Sequence, residues 1–198
     1  MQFITTTLMA MVPLLIAVDP AASVVLFLSL ADGVDAATRR KTIRQAAVTA
    51  LAVSLGFVFL SVPIFALLGI DKADFQIGGG LILVVLSLAD LVTEGTSRRH
   101  RNEFFGVVPI GTPLIAGPAV LTALTLLQVE YGRPVTVAAL LATLAIVVAC
   151  LAASRLIAGV VGAPGLKAVS KVISILLAGF GVHLVRVGVI EIMSVVAQ

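Results

Sequence analysis

The sequence predicts an all-helical membrane protein: one domain of six transmembrane helices, arranged as two inverted three-helix repeats, with helices 1 and 4 discontinuous. Three observations lead there. The 198 residues are 60% hydrophobic and only 12% charged, against about 45–50% and about 25% in soluble domains. Too few polar residues remain to cover a water-exposed surface. Six apolar runs follow one another with short connections between them. Finally, a proline-broken apolar segment occurs twice, as Val12-Pro13 to Asp19-Pro20 and as Val108-Pro109 to Gly117-Pro118.

A spanning helix needs about 20 mostly apolar residues. The runs Phe3–Leu30, Ile43–Ile70, Phe75–Val92, Phe104–Leu127, Pro134–Val161 and Val169–Val196 meet or approach that length. No Lys or Arg precedes Val18, so the basic start of a signal peptide is missing and the first run is expected to stay as a helix. The basic residues cluster by connection. Arg39, Arg40, Lys41 and Arg44 follow the first run, Arg98, Arg99 and Arg101 the third, and Arg155, Lys167 and Lys171 flank the fifth connection. Only Lys72, Arg133 and Arg186 fall on the other side. Lys and Arg accumulate on the cytoplasmic face, so both termini are expected outside the cytoplasm. Three runs per half then force the second half to enter the membrane in the opposite sense. Residues 1–92 form the first repeat, residues 93–103 a cytoplasmic connection and residues 104–198 the second repeat.

The breaks carry the chemistry. Proline removes a backbone donor and clashes with the preceding turn, which interrupts a helix. It suits the first helical position, and aspartate is among the best N-caps. Asp19-Pro20 therefore predicts a new half-helix starting at Pro20, and Gly117-Pro118 predicts another, capped by bare backbone. Each such start presents unpaired N–H groups and about half a positive charge. Two of them facing each other make a cradle for a carboxylate. Asp19, Pro20, Ala21, Ala22 and Ser23 line it from the first break. Thr112, Gly117, Pro118, Ala119 and Thr122 line it from the second. Gly78 and Gly79, in the Gly78-Gly79-Gly80 run, are expected beside the solute on the third helix. Asp19 is also the expected ion-coupling residue, because a carboxylate deep in a membrane marks a pathway or a proton relay.

Other features point to packing. Cys150 is alone in an apolar run, and Ala138, Ala142, Ala145, Ala149 and Ala153 form a small-residue ridge suited to helix contact. There is no phosphate-binding glycine loop, no serine–histidine–aspartate order and no metal-ligand spacing. An enzyme and an ATP-driven pump are not expected, and the positive charge belongs to membrane orientation rather than to nucleic acid.

The run Val108-Pro109-Ile110-Gly111-Thr112-Pro113-Leu114-Ile115-Ala116-Gly117-Pro118 resembles the MarC family of bacterial and archaeal inner-membrane proteins. Asp19-Pro20 and the triple glycine are similar to that family as well, and the resemblance covers essentially the whole chain. Family members often continue the first break with Gly-Asn and another proline, where this chain has Ala22, Ser23 and Val25. The resemblance implies a six-span fold, grouped with LysE-like exporters, and ion-coupled transport of glycine, alanine or similar solutes. The expected function is thus a secondary transporter of small neutral amino acids by alternating access, in the inner (plasma) membrane. A small-solute channel, an exporter of another small metabolite and a non-transporting membrane protein are the alternatives. No cofactor is expected beyond a proton or sodium as coupling ion. A small amino acid and the lipid bilayer are the expected partners, and a homo-oligomer is compatible with the same pattern.

Overall fold

The computed structural model describes residues 2–31, 33–92 and 106–196, and all of its regular structure is helical. Helix α1 (Gln2–Val18) stops at Asp19, and α2 (Pro20–Leu30) continues the first apolar run beyond it. Helix α3 (Ala36–Leu68) follows, then α4 (Lys72–Val92). The connection 93–103, with its Arg98, Arg99 and Arg101, lies outside the described residues. A wide-turned segment, Gly106–Ile115, leads into α5 (Pro118–Ala152), and α6 (Ser154–Val196) completes the chain.

Four stretches are long and apolar enough to cross a membrane: Gln2–Leu28, Ala36–Ser61, Pro118–Ala152 and Pro164–Ser194. Gln76–Ala89 is a shorter apolar helix. The two longest helices are each divided. Gly132 (φ 80°, ψ 165°) interrupts α5 and Gly162 (φ 74°, ψ 158°) interrupts α6, each two residues before a proline. A positive φ at these extended ψ values suits glycine alone. Unbroken, the 35 residues of α5 would reach about 50 Å, against a hydrocarbon core of about 30 Å.

Helix α3 begins seven residues before the expected Ile43, inside the basic connection. Asp35 caps it, accepting from the amides of Ala37 (3.1 Å) and Thr38 (3.3 Å). Those bonds, with the Thr38 hydroxyl first, hold the Asp35 carboxyl below its ordinary value. At the far end Gly69 (φ 67°) turns the chain, and the Ile70 amide closes back on the Phe65 carbonyl at 3.0 Å. Two arginines fasten α3 to its neighbours. Arg39 is buried, lies over the Phe27 ring at 5.0 Å and donates to Ser154 Oγ at 3.0 Å. Arg133 covers the Phe59 ring at 5.8 Å near the other end.

The main packing pairs are α1 with α5, α3 with both Gly106–Ile115 and α5, and α4 with α6. Leu14, Phe27, Ile110, Leu124, Leu140 and Leu151 are fully buried between them. The α4–α6 contact is reciprocal. A Cβ on Gly80 would stand 2.6 Å from the Gly181 carbonyl oxygen and 3.0 Å from the Val185 amide nitrogen. A Cβ on Gly181 would stand 2.7 Å from the Gly80 carbonyl oxygen and 3.0 Å from the Val84 amide nitrogen. Each helix shows the other the same glycine and, one turn later, the same valine. Gly106 and Gly111 similarly let their segment lie against Thr42 and Thr49 of α3.

Candidate functional site

Asp19 is the only non-glycine residue with positive φ among those described (φ 46°, ψ 79°). Sequence explains this locally. Proline at position 20 disfavours a right-handed helical conformation at 19, and aspartate tolerates the left-handed one because its short side chain bonds nearby backbone. Its Oδ1 accepts from the Ala22 amide at 3.0 Å. Its Oδ2 accepts from the Ser170 hydroxyl, a residue of α6, at 2.6 Å. One carboxylate thus caps α2 and ties the break to the opposite end of the chain.

The second break is built differently. Backbone torsions are extended at Val108 and Thr112, and the Ala116 amide reaches five residues back to the Gly111 carbonyl at 3.0 Å. Helix α5 then starts at Pro118, with Gly117 as an N-cap that has no side chain to close its tip. The symmetrical anion cradle expected from the sequence is therefore revised. The tip of α2 already holds the Asp19 carboxylate, whereas the tip of α5 is open to a foreign one.

Both breaks line one cavity of about 370 Å³. Asp19 and Ala22 line it from the first break, and Gly117, Pro118 and Ala119 line it from the second. Proline leaves the carbonyl four residues earlier without its donor. Pro20 does so to Ile16, which lines this cavity. Ser87 and Ser174 also line it. Their hydroxyls donate within their own helices, to the carbonyls of Val84 at 2.8 Å and Ser170 at 3.0 Å. The lining offers acceptors at Asp19 and Ile16 and backbone donors where α5 opens, and is otherwise largely apolar.

The remaining sequence-predicted residues stand elsewhere. Pro20 and Ala21 sit at the break without lining the cavity. The Ser23 hydroxyl turns back to the Val18 carbonyl at 3.4 Å. Thr122 is buried with its methyl against Gly79, so this pair is a helix contact. Gly78 is exposed with open space around it, and Thr112 lies within the irregular segment before α5. Ser87, Ser170 and Ser174 were not singled out. The four-residue spacing of Ser170 and Ser174 on an apolar helix marks one polar face, which is the signal that points to them. Removing the Ser170 hydroxyl (Ser170→Ala) is expected to cost about 1.5–3 kcal/mol, the worth of a hydrogen bond to a charged group. The check is a lowered thermal midpoint in detergent micelles, with Ser170→Thr close to the parent.

Comparison with known proteins is decisive at the family level. The model of the MarC family integral membrane proteins matches residues 3–193. The chain belongs to the MarC family. A UPF0056 membrane protein of Buchnera aphidicola (from Schizaphis graminum) is 28% identical over 180 residues, covering 89% of this chain and 90% of that one. The UPF0056 inner membrane protein YhgN of Escherichia coli K12 is 28% identical, covering 85% and 88%. A UPF0056 membrane protein of Methanocaldococcus jannaschii is 24% identical, covering 86% and 89%. No solved structure matches the chain. MarC membership makes this an integral membrane protein.

Proposed function

We propose that this MarC protein is an ion-coupled secondary transporter of small neutral amino acids of the glycine and alanine type. The observation that carries the reading is the cavity shared by the two breaks. An amino acid zwitterion has one end for each break. Its carboxylate suits the uncapped N–H groups and positive dipole end of α5. Its ammonium suits the Asp19 carboxylate and the freed carbonyl of Ile16. Alanine, glycine and proline at the break let a small solute approach the backbone there. Discontinuous helices at a repeat interface are a recurrent way to build such sites.

Six crossings in two inverted halves complete the reading. The glycine–proline interruptions at 132 and 162 divide α5 and α6 near the expected turns between crossings. The reciprocal Gly80–Gly181 contact is what a two-fold axis in the membrane plane would produce. The breaks follow the same exchange, with Asp19-Pro20 answering Gly117-Pro118. Rocking of one half against the other would expose the cavity to each side in turn, with a proton or sodium ion meeting Asp19. The basic starts of α3 and α6 set the cytoplasmic side, and the name of the Escherichia coli relative supports an inner-membrane location.

Counterflow in proteoliposomes tests this. Vesicles loaded with unlabelled alanine are expected to take up labelled glycine transiently and saturably. A channel would give flux without counterflow, and absence of flux for every small amphoteric solute would defeat the transport reading.

A further inference from the structure

A second cavity, of about 560 Å³, lies between the same four helical runs, toward the start of α1 and the end of α6. Ile16 lines both cavities, so they adjoin at that residue. The new cavity is rich in acceptors. Gln76 on its wall is 6% exposed, and among the described residues its Oε1 has no hydrogen-bond partner. An unpaired buried amide oxygen is costly unless something fills its lone pairs. Pro13, also on the wall, has no N–H for the carbonyl of Met9, which lines the same space. Glu130 adds a carboxylate. His183 lines it too, and its Nδ1 accepts from the Arg186 guanidinium at 3.2 Å.

The two cavities correspond through the α4–α6 contact. Gln76 lies one turn before Gly80 on α4, and Leu177, one turn before Gly181 on α6, lines the break cavity. The same position in the two halves faces a different cavity, and only the Gln76 side carries a free amide oxygen.

We propose that the cavity around Gln76 is a second binding station, which receives the protonated amine of the solute before it passes Ile16 to the break. The station's occupant rests on the transport reading above, but its ammonium chemistry rests on the Gln76 wall alone. Gln76 Oε1, the Met9 carbonyl and the Glu130 carboxylate take the ammonium hydrogens.

The test uses full-length protein in lipid nanodiscs, with Cys150→Ala removing the native thiol and Val187→Cys reporting from the cavity wall. The rate of modification by a polar thiol reagent is measured against increasing methylammonium. Methylammonium is expected to slow labelling several-fold and saturably. Adding Gln76→Leu should remove that protection, and adding Gln76→Glu should keep or tighten it, which rules out loss through misfolding. Equal protection with Gln76→Leu, loss in both variants, or no protection at all would overturn the station. Protection by methylammonium without any glycine counterflow would defeat the transport reading and leave the station standing. Counterflow without protection would do the reverse.

Discussion

Asp19→Asn is expected to abolish pH-gradient-driven accumulation of glycine in proteoliposomes while leaving exchange partly in place and the fold intact. The substitution isolates charge from shape. Asparagine also tolerates the left-handed conformation of residue 19 (φ 46°). Its carbonyl oxygen can keep the cap on the Ala22 amide, and its NH₂ can donate to the Ser170 oxygen, reversing the 2.6 Å bond. What disappears is the negative charge that an ammonium or a coupling ion would meet. Asp19→Ala is the structural counterpart. It loses the cap, worth about 0.5–2 kcal/mol, and forces an unassisted side chain into a backbone region costing about 1–3 kcal/mol. Its thermal midpoint should fall well below that of Asp19→Asn. Accumulation unchanged in Asp19→Asn would remove Asp19 from the coupling mechanism.

Gly80→Ala and Gly181→Ala should both be strongly destabilising single-methyl additions. In each case the new Cβ meets the partner helix's backbone, a carbonyl oxygen at 2.6 or 2.7 Å, and no side-chain rotation relieves it. The helices must separate along their length. Overpacking of this kind costs about 1–3 kcal/mol, occasionally more. The double variant should cost less than the sum, because the separation forced by one methyl partly accommodates the other. Gly179→Ala is the control: nothing lies within 4 Å of the position, and alanine is the better helix former. Thermal unfolding of the four proteins in one detergent gives the comparison. A Gly80→Ala protein as stable as the Gly179→Ala protein would mean that the close α4–α6 approach is absent in solution.

The legible part of this fold was the part written in local chemistry. Proline's missing donor and aspartate's capping oxygen act within four residues, so the break at Asp19-Pro20 and the start of α5 at Pro118 could be read directly. Hydropathy marked the apolar runs for the same reason. The start of α3 was misplaced because its first two turns are basic and mark no membrane run, although Asp35 caps them as firmly as any apolar helix. The bond from Ser170 to Asp19 joins residues far apart in sequence, and no periodicity connects them. That contact ties the first break to α6, while the Asp19 cap on the Ala22 amide occupies the α2 tip. Thr122 illustrates the converse. Its hydroxyl suggested a ligand, but the absence of a side chain at Gly79 draws the threonine methyl into a helix contact instead.

A structure solved with alanine bound would test the cavity at the breaks most directly. Density is expected between Asp19 and Gly117-Pro118, with the carboxylate on the amides that open α5 and the ammonium toward Asp19 and the Ile16 carbonyl. Alanine bound outside that space, or helices running unbroken through Asp19 and Gly117, would contradict it.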